Sequence, residues 1–173
     1  ERVARRVRNG RVGNRQKFRS RYYDKKVCVQ FGRIARPFVA KDQGYLVPKK
    51  SVFNRIIGDN QLELQFANFL EGCDDVVSFA KNYMAVHFKL DYVNADGDIS
   101  NYYPDFMVKL FTKRIVIVET KGREDLDVPL KMARLRQWCE DVNRVQKVVE
   151  YDFVYVDEES FEKYKPTSFR QLL

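Results

Sequence analysis

The sequence predicts an α/β domain in which helices cover a mixed central sheet. The chain has 173 residues, of which 45% are apolar, enough to build one hydrophobic core. Apolar residues recur at helical spacing after residue 59 and after residue 127, with strand-like segments between and beyond them. Residues 115–118, Ile-Val-Ile-Val, lack polar alternation, which is typical of a central strand buried on both faces. Strands in a meander, then a crossover helix and a last strand, give a mixed sheet.

The first helix is expected to begin after residue 60. Asp59 or Asn60 can accept a hydrogen bond from the first backbone N–H groups, so either can be its N-cap. Apolar side chains follow at helical spacing, and Gly72 is expected to end the helix. These side chains are Leu62, Phe66, Phe69 and Leu70.

Strand segments are expected between this helix and the next. The first covers residues 76–79, and apolar alternation predicts another over residues 84–93. Residues 94–98 carry an Asp-Gly turn signature of a hairpin. Residues 102–111 and 114–119 are then predicted to form two strands around a tight turn at residues 112–113.

The last third of the chain predicts a helix, a strand and a short helix. Asp127 is expected to cap the long helix, with Pro129 in its first turn. Its apolar stripe must face a core and comprises Val128, Met132, Leu135, Cys139 and Val142. Alternation predicts a strand over residues 148–156, and a short polar helix is expected at residues 158–164.

The positive charge of the chain is concentrated in its N-terminal fifth. Residues 1–36 carry 13 Lys and Arg against 2 acidic residues, whereas the remainder has a small negative net charge. We expect residues 1–44 to be a basic segment, with a helix or linker over 1–21, a short strand at 27–31 and a loop from 37 to 50. Such a segment is typical of a protein that meets a polyanion, but it is equally consistent with a solvated linker.

Several function classes are disfavoured by the sequence. No apolar run reaches the ~18 residues of a membrane span, and no signal peptide is recognisable, so a cytoplasmic protein is expected. The three cysteines are far apart and form no Cys-x-x-Cys pair, which argues against disulfides and zinc. No phosphate-binding loop for ATP is present. The chain begins with Glu1, which indicates a piece of a longer protein.

Three charged residues interrupt the predicted sheet. Asp105 follows Pro104 in an apolar segment, and Glu119 and Lys121 follow the buried run, two residues apart and therefore on one face. In a hairpin, Asp105 faces residue 119 or 121 only if the connecting loop has an odd length; a two-residue turn places it opposite Thr120. Two clustered carboxylates repel, and Mg²⁺ removes that conflict. A structural ion pair at the end of the sheet is the alternative.

These residues resemble the signature of the PD-(D/E)xK nucleases. Tyr-Pro-Asp-Phe at residues 103–106 precedes Glu-Thr-Lys-Gly at residues 119–122. A wider pattern over residues 45–157 resembles the C-terminal endonuclease domain of type III restriction enzymes. It includes Ser-Val-Phe-Asn at 51–54, Leu62-Glu63 with Phe66-Ala67 and Phe69-Leu70, Phe-Ala-Lys-Asn at 79–82, and Trp138-Cys139 with Asn143. The resemblance implies a restriction-endonuclease-like αβββαβ core within residues 45–173.

The resemblance also implies roles for individual residues. Asp105, Glu119 and the main-chain carbonyl of Thr120 would bind Mg²⁺, for which Mn²⁺ can substitute. Glu63 would reach the metal directly or through water. Lys121 would position the attacking water, help to deprotonate it, or neutralise charge on the scissile phosphate. The implied reaction hydrolyses a DNA phosphodiester to a 5′-phosphate and a 3′-hydroxyl.

The implied partners are double-stranded DNA, a helicase-like motor on the same polypeptide and a methyltransferase subunit that chooses the site. ATP would be used only by the motor. Lys131 and Arg134 are weaker candidates for phosphate contacts, and Lys81 belongs to the same group. Two alternatives remain open: a structure-specific or repair nuclease of the same fold, and a non-catalytic basic module that binds nucleic acid.

Overall fold

The structure, a computed structural model, describes residues 44–82, 86, 88–122 and 126–173, and the backbone of residues 16–22 and 25–31. In chain order the strands are β1 (Gln16–Tyr22), β2 (Lys25–Phe31), β3 (Tyr45–Leu46), β4 (Ile56–Ile57), β5 (Val76–Lys81), β6 (Leu90–Val93), β7 (Ile99–Tyr102), β8 (Phe106–Leu110), β9 (Arg114–Lys121) and β10 (Glu150–Asp157). The helices are α1 (Gln61–Gly72), α2 (Val128–Val145) and α3 (Glu158–Tyr164), followed by a 3₁₀ turn at Phe169–Leu172.

The central sheet has four strands in the order β10-β9-β8-β5. Strands β5, β8 and β9 are antiparallel neighbours, whereas β9 and β10 run parallel and are connected through α2. The predicted mixed α/β architecture is therefore confirmed. The apolar run at residues 115–118 lies in β9, between β8 and β10, and is buried as expected.

Helix α1 begins where the sequence places it. Asn60 is the N-cap, and its Oδ1 accepts a hydrogen bond from the backbone N–H of Glu63 at 2.9 Å. The carboxylate of Glu63 in turn accepts one from the N–H of Asp59 at 2.9 Å, so free donors at the helix start are satisfied from both sides. Gly72 is the last helical residue.

The sheet has a separate core on each face. One core joins α1 to the even-numbered side chains of β8 and β9 and to the C-terminal 3₁₀ turn; its largest members are Phe66, Phe79, Phe106 and Phe169. The other joins α2 and the β6–β7 hairpin to the odd-numbered side chains of β9; its buried members include Leu90, Tyr102, Ile117, Leu135 and Cys139. Glu119 and Lys121 are odd-numbered residues of β9, so alternation places them on this second face.

The prediction of a single strand over residues 102–111 is wrong. The structure divides it into β7, which ends at Tyr102, and β8, which begins at Phe106. Pro104 has no N–H for a sheet ladder, and its carbonyl accepts a hydrogen bond from the side chain of Asn82 instead. Strand β7 pairs with β6. Along the chain, this hairpin is an insertion between β5 and β8, which are themselves paired in the central sheet.

Two further expectations need correction. The strand expected over residues 84–93 begins only at Leu90; residues 83–85 and 87 lie outside the described part of the chain. Residues 16–22 form a strand paired with β2, where a helix or linker was expected. Residues 1–15, 23–24 and 32–43 of the basic segment also lie outside the described residues. Among the described residues, no helix is long and apolar enough to cross a membrane.

The turn between β8 and β9 has three residues rather than two. Phe106 faces Val118, which gives the even register sum that an odd loop requires. Lys113, the last loop residue, has a φ of 59°, as expected for a turn that ends in a left-handed residue. Continued by one residue, the register that this loop sets would pair Asp105 with Glu119.

Replacing Lys113 by glycine tests this loop. Because a side chain is unfavourable at positive φ, Lys113→Gly is expected to raise the free energy of unfolding by about 0.5–1 kcal/mol in urea titrations. Lys109→Gly, at an exposed position within β8, is the control and is expected to lower it. Equal destabilisation by both variants would contradict the left-handed loop.

Candidate active site

Asp105 directly precedes the first residue of β8 and lies against the last residues of β9. Its N–H donates to the carbonyl of Val118 at 3.0 Å, although Val118 already faces Phe106. Two residues thus lie against one, as in a β-bulge. The carboxylate oxygen Oδ2 accepts hydrogen bonds from both the N–H and the Oγ1 of Thr120, each at 2.7 Å. These bonds fix the carboxylate at the edge of β9.

Asn82 holds the Pro104–Asp105 corner in place. Its N–H donates to the Asp105 carbonyl at 2.6 Å, and its Nδ2 donates to the carbonyls of Pro104 at 2.8 Å and Phe88 at 2.7 Å. Asn82 is itself buried. The Lys81-Asn82 pair belongs to the pattern on which the resemblance rests, and the structure shows what the asparagine does.

Glu119 is buried on the face that α2 and the hairpin cover, with 7% of its surface exposed. Its Oε2 accepts a hydrogen bond from the hydroxyl of Tyr102 at 3.1 Å. Burial raises the pKa of Glu119 to about 8, and the negative charge of Asp105 adds to the rise. The positive charges of Lys121 and Lys131 oppose it, so both ammonium groups act on this carboxylate.

The pKa of Asp105 is also raised. Burial is the main cause; the hydrogen bonds from Thr120 oppose it, the charge of Glu63 adds to it, and the charge of Lys81 lowers it. Asp105 therefore interacts with Glu63 and Lys81 on one side and with Glu119 on the other. Asp105 and Lys121 both lie near enough to Glu119 for their charges to influence its pKa.

Glu63 is held by hydrogen bonds at both of its oxygens. Oε2 lies 2.8 Å from Nζ of Lys81 and accepts from the N–H of Asp59, while Oε1 accepts from Nδ2 of Asn60 at 3.1 Å. Glu63 is 4% exposed and near enough to Asp105 to influence its pKa. This placement favours an electrostatic role beside the site over direct metal ligation.

Lys81 is buried between two carboxylates. Its Nζ lies 2.7 Å from Oδ2 of Asp59 and 2.8 Å from Oε2 of Glu63. Burial alone would lower the pKa of Lys81, but hydrogen bonds to Asp59 and Glu63 raise it above its ordinary value. The side chain is only 4% exposed, so this geometry gives no support to a contact between Lys81 and a DNA phosphate.

Lys131 and Arg134 lie on the face of α2 that meets the hairpin. Nζ of Lys131 is 5.8 Å from the centre of the Tyr92 ring, and its charge reaches Glu119. Nε of Arg134 donates to the carbonyl of Asp91 at 3.0 Å, so this arginine fastens the hairpin to the helix. Of the two, Lys131 is the residue whose charge acts on Glu119.

Sequence reasoning missed Tyr102 and assigned no role to Asn82, although Asn82 belongs to the pattern that carries the resemblance. Tyr102 fits the apolar pattern of a strand, which favours a packing role over a role at the site. Burial and the charge of Glu119 raise the pKa of Tyr102, so its hydroxyl keeps its proton and remains a donor. The only available signal was position: Tyr102 comes three residues before Asp105.

The donors at this site suit a hard divalent cation. No group of three or more His, Cys, Asp or Glu side chains in the described residues is arranged to hold a metal, so protein carboxylates alone do not form a cage. Mg²⁺ ordinarily takes one or two carboxylates and keeps several waters. Asp105 and Glu119 each use one oxygen in the hydrogen bonds described above. The N–H of Thr120 points toward Asp105, and in a β-strand the carbonyl of the same residue points to the same side.

Comparison of the chain with models of protein families, with curated proteins and with solved structures finds no match. Any function must therefore be argued from the geometry of these residues and from the resemblance in their pattern.

The pKa of Glu119 predicts how the stability of the metal-free protein depends on pH. Between the ordinary value of 4.5 and about 8, the folded chain holds a proton that the unfolded chain releases, so the free energy of unfolding falls as pH rises. Glu119→Gln stays neutral throughout. We expect the variant to gain stability over the parent between pH 6 and pH 9, on the order of 2–4 kcal/mol, in urea titrations with EDTA. Glu162→Gln, at an exposed position, is the control. Parallel pH profiles for parent and Glu119→Gln would contradict the shift.

Removing Lys81 leaves Glu63 buried without a cation. Lys81→Met is expected to lower the free energy of unfolding by about 3–5 kcal/mol, and adding Glu63→Gln should recover part of that loss. Lys89→Met is a matched control, because its ion pair with Asp91 is exposed and worth less than about 1 kcal/mol. Similar losses in the two lysine variants would refute the buried pair.

Proposed function

We propose that this chain is a Mg²⁺-dependent DNA endonuclease domain. The supporting observation is the convergence of two carboxylates, the half-buried Asp105 and the buried Glu119, on adjacent strands, with Lys121 on the strand face of Glu119. The order of α1, three sheet strands, α2 and β10 agrees with the αβββαβ core that the resemblance implies.

The electrostatics of the site favour a bound cation. Burial raises the pKa values of both carboxylates; the charge of Asp105 adds to the rise at Glu119, and the charge of Glu63 adds to the rise at Asp105. A dication neutralises both and supplies, when bound, Lewis-acid activation of a phosphate and an acidic water. Asp105, Glu119 and the Thr120 carbonyl are the groups that would hold it.

The chain's own residues would orient the phosphodiester. Lys121, half-buried and close enough to act on Glu119, would orient the attacking water or neutralise charge that develops on the phosphate. Lys131 would contribute positive potential from α2. Asp105 cannot rotate freely because Thr120 holds one of its oxygens, so its second oxygen keeps a fixed direction.

The choice of DNA and of partners depends on charge and on the resemblance. The basic N-terminal fifth would contact the phosphate backbone. A helicase-like motor on the same polypeptide and a methyltransferase subunit follow only from the similarity to type III restriction enzymes, and so does the assignment to a restriction system.

One observation favours a non-catalytic alternative. The acids of the cluster already have partners, because Thr120 binds Asp105, Tyr102 binds Glu119, and Lys81 binds Glu63. A module of this kind would bind nucleic acid through its basic segment and would use the acidic cluster only for structure.

Metal binding and cleavage separate the two functions. Calorimetric titration with Mn²⁺ is expected to show about one site per chain, since Lys81 already neutralises Glu63. Asp105→Asn and Glu119→Gln should each weaken that binding at least tenfold. Each of these two variants, and likewise the Lys121→Ala variant, should abolish cleavage of plasmid DNA in Mn²⁺ while DNA binding persists.

Asp96→Asn, in the exposed hairpin turn, is the control and should behave as the parent. A parent chain that binds DNA but takes up no Mn²⁺ would establish the non-catalytic module instead. Preferential cutting of branched or nicked substrates over linear duplex would assign the fold to a structure-specific or repair nuclease.

A further inference from the structure

The β6–β7 hairpin lies over the face of the sheet that carries Glu119. In the sequence it lies between β5 and β8, and β7 ends at Tyr102, three residues before Asp105. We propose that Tyr102 is a positioning residue, which orients the Glu119 carboxylate for the cation. This inference rests on the proposed function, because it assumes that Glu119 is a metal ligand.

The contact between Tyr102 and Glu119 is enclosed. Tyr102 is 2% exposed and Glu119 is 7% exposed, and the hydroxyl donates to Oε2 at 3.1 Å. A donor on Oε2 fixes the rotation of the carboxylate and directs Oε1 away from the tyrosine. Hydrogen bonds of this kind orient metal-binding carboxylates in proteins, and their loss typically costs about 10–100-fold in metal affinity or activity.

The tyrosine has a fixed position because the hairpin is fastened to α2. The Tyr92 hydroxyl donates to Oδ2 of Asp127 at 2.8 Å, and the N–H of Ala95 donates to Oδ1 of the same residue at 2.9 Å. The Tyr92 ring meets the Tyr102 ring edge to face, with 6.5 Å between centroids. Together with the bond from Arg134, these contacts determine where the Tyr102 hydroxyl lies.

One short segment therefore serves both carboxylates. Tyr102 ends the hairpin and contacts Glu119; the chain then turns at Pro104, and Asp105 presents its own carboxylate beside Thr120. Docking of the hairpin on α2 thus sets the geometry of the two proposed ligands at once.

Tyr102→Phe tests the inference, with Tyr103→Phe as its matched neighbour, since Tyr103 is 48% exposed. In calorimetric titrations of the chain, Tyr102→Phe is expected to weaken Mn²⁺ binding about tenfold or more, whereas Tyr103→Phe should match the parent. Urea unfolding without metal reports any general loss of structure separately. If Tyr102→Phe binds Mn²⁺ as the parent does, the inference is overturned.

The parent chain supplies a second measurement that needs no variant. With ¹³C at the tyrosine ζ carbon, saturation with Mg²⁺ should shift the Tyr102 resonance and leave that of the exposed Tyr164 in place. No shift at Tyr102 would overturn the inference even if Tyr102→Phe fails to fold. Loss of Mn²⁺ binding in Glu119→Gln, with no effect in Tyr102→Phe, refutes the positioning role alone. Absence of binding in the parent refutes the proposed function, and the inference with it.

Discussion

The arrangement of the candidate site depends on the pair of hydrogen bonds that Thr120 donates to Asp105. They join the residue before β8 to the end of β9, at a place where Pro104 cannot contribute an N–H to the ladder. Without them, a carboxylate at a strand break would turn to water, since an ionised group is costly to bury unless it is paired. Because one donor is the main-chain N–H, the fold itself holds Asp105 in position. The neighbouring groups then act on a charge that cannot move away.

Charge is distributed unequally around that carboxylate. On the α1 face, Lys81 balances the charge of the buried Glu63 and also pairs with the exposed Asp59, so the buried carboxylate there already has its cation. On the α2 face, the charges of Lys121 and Lys131 oppose the rise in the pKa of Glu119, but burial and the charge of Asp105 outweigh them. The conflict between Asp105 and Glu119 is therefore relieved either by a proton or by a bound cation. Under the proposed function, cation binding would be coupled to folding, because a ligand that binds only the folded chain stabilises it.

Much of this fold follows from local signals in the sequence. The helical spacing of Leu62, Phe66 and Leu70, the cap at Asn60 and the apolar run in β9 each have a local physical cause, and each was recognised. What could not be predicted depends on distant partners. Asp127 was expected to cap α2, but its carboxylate binds Tyr92 and Ala95 of the hairpin and makes no cap hydrogen bond. Likewise, the sequence does not tell that Lys81 meets Glu63 across the face of the sheet, or that the loop before β9 has an odd length.

The two carboxylates differ in how their positions are encoded. Asp105 is held in part by a main-chain donor that no substitution at Thr120, other than proline, removes. Glu119 accepts its hydrogen bond from a side-chain hydroxyl, carried by a hairpin that is itself fastened by Asp127 and Arg134. The geometry of Glu119 therefore includes contributions from residues that never approach a cation. In this chain the aromatic segment before the Pro-Asp corner is as much a part of the site as the charged residues that first drew notice to it.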